Sequence, residues 1–129
     1  MNHHPILLGS AFPLALVRRR VVIEPRPLAE LRNLLQSRTL ASFWGHRNTL
    51  GIAQLMLGVD VRPKTERPAL FLNEAGLPML DAIIFSECWI VSPDYVPGYR
   101  PAIGEEIPAH KIIGWQVLRM EWASETNRI

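Results

Sequence analysis

Cysteine is almost absent from this chain: Cys88 is the only one in 129 residues. No intrachain disulfide can form, and zinc centres built on cysteine are excluded. A reducing cytoplasm suits such a chain. Long apolar runs are absent too, since none approaches the roughly 18 residues needed to cross a bilayer. The opening MNHHPILLGSAF has no basic stretch ahead of its apolar run, and Gly9, Ser10 and Pro13 interrupt that run. It therefore does not read as a secretory leader. There is no HExxH, P-loop, GxGxxG or GxSxG pattern, so the usual zinc-protease, nucleotide-cradle and serine-hydrolase signatures are missing. His3, His4, His110 and Asp94 show no metal-ligand spacing, and neither a metal nor another cofactor is expected. No basic stripe is long enough to track duplex DNA.

What is present is ordinary globular material, 48% hydrophobic and 20% charged, long enough to bury a core without staples. One domain over 1–122 and a polar tail over 123–129 are expected. The net charge of +2 is unevenly spread. Residues 1–60 hold seven Arg against three acids, a net of +4; residues 61–129 hold seven Lys or Arg against nine acids, a net of −2. Every base of the first part is arginine, the better partner for bidentate phosphate contact. Two readings stand: a solvated basic face, or an anionic ligand held by the first half.

Hydrophobic spacing predicts the elements. PILLG (5–9) reads as a short buried strand. LALVRRRVVIE (14–24) holds a second strand around Arg19–Ile23, with Arg18 and Arg20 on one face and Arg19 on the other. Pro27 suits a first helical position. Behind it, Leu28, Leu31, Leu34 and Leu35 form one apolar stripe. RTLASFW (38–44) reads as a short extended piece or a fraying continuation of the helix. A second helix runs from about Arg47 to Gly58, with Gly58 as its stop and a strand-like VDV after it. Strands are expected in 68–73, 77–85 and 87–92. Residues 92–108 carry four prolines and two glycines and read as a structured loop. GWQVLRMEW (114–122) alternates as a final strand. The order predicts an α+β fold: a small mixed sheet with helices packed on one face.

The chemistry concentrates in SFWGHRNTL (42–50), where His46 stands at a predicted helix start. Such a position offers free amides and the positive end of the helix dipole to an anion. A histidine there can act as general acid or base in phosphodiester chemistry. Gly45 permits close backbone approach, and Arg47, Asn48 and Thr49 are placed to touch a ligand or to cap the helix. The plainer alternative is a histidine that merely packs at the turn. Arg100, in YRPAIGEE (99–106), sits in a proline-stiffened loop that can present a guanidinium to phosphate, or pairs with Glu105 or Glu106. Arg67, in TERP, has the same two readings. Glu105 and Glu106 are either an acid/base or a solvated pair. Cys88 reads as inert core. Trp44, Trp89, Trp115 and Trp122 serve either as base-stacking platforms or as core and dimer interface.

Three stretches together resemble one family. ILLGSAFPLALV (6–17) is similar to its opening strand followed by Asn/Ser-Ala-Phe-Ser. SFWGHRNTLGIAQLMLGVDV (42–61) resembles its Ser-x-x-Gly-His-x-x-Thr leading into a helix that ends in Leu-x-Gly. RPAIG (100–104) keeps its late Arg-x-x-x-Gly spacing, although the family's glutamate before that glycine is Ile103 here. The family is that of the viral ring nucleases, anti-CRISPR proteins that degrade cyclic tetra-adenylate, with homologues on archaeal viruses, phages and integrative elements. The resemblance implies an α+β homodimer and a ligand pocket across its two-fold axis. It implies metal-independent cleavage by the ring's own 2′-hydroxyl, with His46 as general acid. Arg100 and Arg67 would contact phosphate, Glu105 would stand in for the displaced glutamate, and Ser10 and Phe12 to Pro13 would contact the ligand. Two further possibilities remain: a non-catalytic member that sequesters a nucleotide or inhibits a host protein, and a general single-strand RNA binder.

Overall fold

A computed structural model of the chain describes residues 4–64, 70–102 and 104–123. The elements are β1 (Ile6–Gly9), a 3-10 turn (Leu14–Leu16), β2 (Val21–Pro25), α1 (Leu28–Ser37), β3 (Leu40–Ser42), α2 (Arg47–Leu57), β4 (Phe71–Leu72), β5 (Pro78–Leu80), β6 (Ile83–Ile84), β7 (Glu87–Tyr95), a second 3-10 turn (Ala109–Lys111) and β8 (Ile112–Trp122). Five strands form the main sheet in the order β2-β8-β7-β1-β3, and β4-β5-β6 form a second, smaller one. β1 runs parallel to β3 and β7, whereas β8 runs antiparallel to β7 and β2. The sheet is mixed and the fold is α+β, as the element order predicts.

β1 is apolar throughout because both of its faces are covered. Ile6 and Leu8 join Trp89, Val91 and Val117 beneath the helices. Leu7 points the other way and joins Cys88, Ile90, Met120 and Trp122 beneath the small sheet. On α1 the predicted stripe is the buried one: Leu31 and Leu35 are enclosed, with Leu28 and Leu34 packed beside them. Each buried leucine contributes roughly 1.5–3 kcal/mol. α2 buries Ala53 and Leu57 on the same side and stops at Gly58. There φ is +77°, in the left-handed region that glycine enters freely, and the Gly58 N–H closes onto Gln54 O. Both helices thus lie on one face of the main sheet.

Several boundaries differ from expectation. β2 starts at Val21, so Arg18, Arg19 and Arg20 precede the strand and do not alternate across it. The Arg19 guanidinium instead reaches the carbonyls of Ala75 and Ala123. Pro25 is tolerated because β2 is an edge strand and the neighbouring Arg26 N–H, not Pro25, faces Val117 O on β8. Pro27 caps α1 from one residue outside it. VDV is not a strand: Asp60 accepts from the Arg62 N–H and from Gln54, which bends the chain, while Val61 is buried. The 77–85 stretch splits into β5 and β6 at Asp81 and Ala82, both with positive φ, a two-residue hairpin turn without the usual Asn-Gly. β7 runs on through Pro93 to Tyr95 because β1 pairs with it only at Trp89 and Ile90. Beyond that point the missing proline N–H faces no neighbour. The 68–73 strand is reduced to Phe71–Leu72, and part of that stretch lies outside the described residues, as does the 124–129 part of the polar tail.

Trp44, Trp89 and Trp122 are buried and Trp115 is half-buried, so the first three build core and are not stacking platforms. Cys88 is fully buried, and that burial, with the Glu87 charge beside it, pushes its thiol pKa well up. Among the described residues no helix is long and apolar enough to cross a membrane.

Candidate functional site

The parallel pairing of β1 and β3 assembles the site. Both strands run to the same end of the sheet, so the segments leaving them, Ser10 on one and Phe43–His46 on the other, emerge side by side. The Phe43 N–H donates to Leu8 O and keeps them together for one more residue. A Cβ on Gly9 would fall inside the Phe43 ring, so only glycine lets the two segments approach this closely.

His46 is the N-cap of α2, with its own carbonyl already receiving the first helical bond. The His46 side chain accepts from none of the first-turn amides, the Thr49 N–H being met by His46 O, and the helix start turns its positive end to an outside acceptor. The imidazole is exposed, but it is aimed: His46 Nδ1 lies 2.7 Å from Ser10 Oγ. The Gly45 N–H donates to that same Oγ at 3.3 Å. The Ser10 oxygen has a second lone pair, so an imidazolium, the form a general acid needs, can donate Nδ1–H to it and present Nε2–H outward. Ser10 is itself buried, at 6% exposure, so the ring is held from below by a fixed partner.

Beneath this pair the helix start is locked. Thr49 is buried; its Oγ1 donates to His46 O at 3.0 Å and accepts from Trp44 Nε1 at 3.2 Å. Trp44 Nε1 also reaches His46 O at 3.0 Å. The Thr49 hydroxyl is therefore occupied in holding His46. Asn48 is half-buried and its carbonyl accepts from the Ile107 N–H, which ties the proline-rich loop to the helix. Arg47 is exposed at the first helical position.

His46, Gly45 and Ser10 line a cleft of about 450 Å³ together with the apolar Pro13, Leu16, Phe43, Leu70 and Phe71. A Cβ on Gly45 would meet nothing within 4 Å, so the space above this glycine belongs to the cleft. Phe12 does not line it. That ring packs behind the wall, edge-on to Phe43 at 6.3 Å and against Trp122 at 5.5 Å.

The other expected residues are not gathered here. Arg100 and Glu105 are both exposed, and among the described residues no hydrogen bond or ion pair joins either to His46 or to one another. Of the two adjacent carboxylates it is Glu106 that lies against α2, beside Gly51. Arg67 lies outside the described residues. Sequence reading also passed over Leu16, Leu70 and Phe71. FLN reads only as strand, and nothing in a two-residue strand says which face it turns outward.

No family model and no curated protein matches the chain. Among solved structures, B116 of Sulfolobus turreted icosahedral virus is similar, with a TM-score of 0.59 and 16% sequence identity over 93% of this chain and 100% of that one. At that identity the likeness speaks for a shared fold.

Proposed function

We propose that this protein is a metal-independent ring nuclease of a mobile element, working as a homodimer on a cyclic oligoadenylate, with cyclic tetra-adenylate as the favoured ring. It would counter nucleotide-signalled, CRISPR-type immunity. The observation that carries this reading is the His46–Ser10 pair, 2.7 Å apart at an uncapped helix start that opens on a cleft. The fold shared with a viral protein and the Gly-His block of the sequence support it.

In this reading the first-turn amides of α2 hold a ring phosphate. The ring's 2′-hydroxyl attacks that phosphorus and the bond to the 5′-oxygen of the next nucleotide breaks. His46 delivers a proton to the departing oxygen. The proton of the 2′-hydroxyl passes to solvent as the new ester forms, and the same step at the opposite phosphate, in the partner copy's site, divides the ring into two linear di-adenylates ending in a 2′,3′-cyclic phosphate, so atoms balance without consuming water or metal. Ser10 orients the imidazole. The parts given to Arg100, Arg67 and Glu105 rest on the family resemblance alone.

One observation favours a second reading: among the described residues His46 is the only titratable side chain lining the cleft. A member that sequesters the nucleotide without cutting it needs no more than that. Thin-layer chromatography of cyclic tetra-adenylate with protein in EDTA separates the two. Linear products from wild type and not from His46→Ala support the nuclease. A rise in melting temperature with ligand but no product supports the sequestering protein. No turnover and no shift sink both.

A further inference from the structure

We infer that Phe71 is a stacking platform for a purine, so that each copy of the cleft holds one purine nucleotide: base on the apolar wall, phosphate at the start of α2. This deepens the reading above and rests on it for the phosphate half. The wall half stands on its own observations. Phe71 is 59% exposed and lines the cleft together with the half-buried Leu16 and Leu70. Large side chains left bare around one concave surface mark a binding site more often than chance exposure does.

Chemistry narrows the occupant. A purely apolar ligand leaves the Ser10–His46 end unanswered. A small anion leaves Phe71, Leu70 and Leu16 uncovered. A nucleotide joins a flat aromatic face to a phosphate and answers both ends. The cleft, about 450 Å³, sits near the lower end of ordinary ligand-pocket volumes, room for one nucleotide and not for a ring of four. Stacking grows with ring area, which favours a purine over a pyrimidine.

The test compares wild type, Phe71→Ala and Phe71→Trp on cyclic tetra-adenylate and cyclic tetra-uridylate, reading KM and kcat separately. The side chain is exposed, so Phe71→Ala should melt at the wild-type temperature. Expected is a KM for the adenylate ring raised roughly 5- to 150-fold in Phe71→Ala, kcat within about twofold, adenylate-over-uridylate preference reduced, and Phe71→Trp restoring both. Unchanged KM and preference in Phe71→Ala, with wild type still active, overturn the inference and leave the function standing. If wild type neither binds nor cleaves either ring, the function fails instead. In that event adenosine 5′-monophosphate and ribose 5-phosphate, titrated against the Phe71 ring signals by NMR, decide the inference alone. Shifts with the first probe only support it, and equal or absent shifts overturn it.

Discussion

The two faces of the main sheet are finished differently. On the helix side, α1 and α2 close over Leu8, Trp89, Val91 and Val117 and leave no side chain of that cluster exposed. On the other side, the small sheet covers Leu7, Cys88, Ile90 and Met120 but stops short of the ends of β1 and β3. There the cleft opens between His46 and Phe71. Two buried serines make the same contrast at close range. Ser42, on β3, donates to Val61 O at 2.6 Å and accepts from the Trp44 N–H, so its hydroxyl is enclosed in the fold. Ser10, equally buried, directs its hydroxyl to a histidine facing solvent. One face is closed into core, and the rim of the other carries the proposed site.

That contrast can be broken from either side. The largest expected effect is on the closed face: Trp89→Ala, at a site 1% exposed, should destabilise the fold by about 3–5 kcal/mol, read as a lower urea midpoint with little change in slope. A loss under about 1 kcal/mol would mean this core is not what holds the sheet. Next comes the boundary between the faces. Gly9→Ala pushes a methyl into the Phe43 ring and should cost about 1–3 kcal/mol. It should also weaken activity, because Ser10 and His46 move apart; a variant as stable and active as wild type would contradict the close approach.

At the rim, Ser10→Ala removes one hydrogen bond to the imidazole. The expected loss is about 1 kcal/mol in kcat, roughly fivefold, with KM nearly constant. A KM effect with unchanged kcat would make Ser10 a ligand contact and not a positioning residue. The smallest effect concerns Cys88. Burial raises its thiol pKa, so at pH 8 thiolate is scarcer than in an exposed cysteine, and raising the pH should not uncover it while the fold persists. A thiol reagent should label the native protein only as fast as it unfolds, and label it readily in urea. Fast native labelling would show that the small sheet does not seal this face.

Much of this was legible because local rules decided it. The leucine spacing of α1, the Gly58 stop of α2, the apolar β1 and the alternation of β8 each follow from a few neighbouring residues. His46 was legible for the same reason, since a helix start and its cap lie together in the chain. What could not be read depends on distant partners. The Ser10–His46 bond joins residues far apart in sequence and exists only because β1 and β3 pair in parallel. Arg19 leaves its expected strand for the carbonyls of Ala75, between β4 and β5, and Ala123, just past β8. Asp81 and Ala82 adopt positive φ that neither residue announces. Phe71 shows its outward face only once β4 has paired with β5.

The decisive measurement is the single-turnover rate on cyclic tetra-adenylate in EDTA, as the ratio of wild type to His46→Ala. With the imidazole as general acid the ratio should fall at about 10²–10⁴. A ratio near one, with both proteins folded and the ring bound, would contradict the role given to His46.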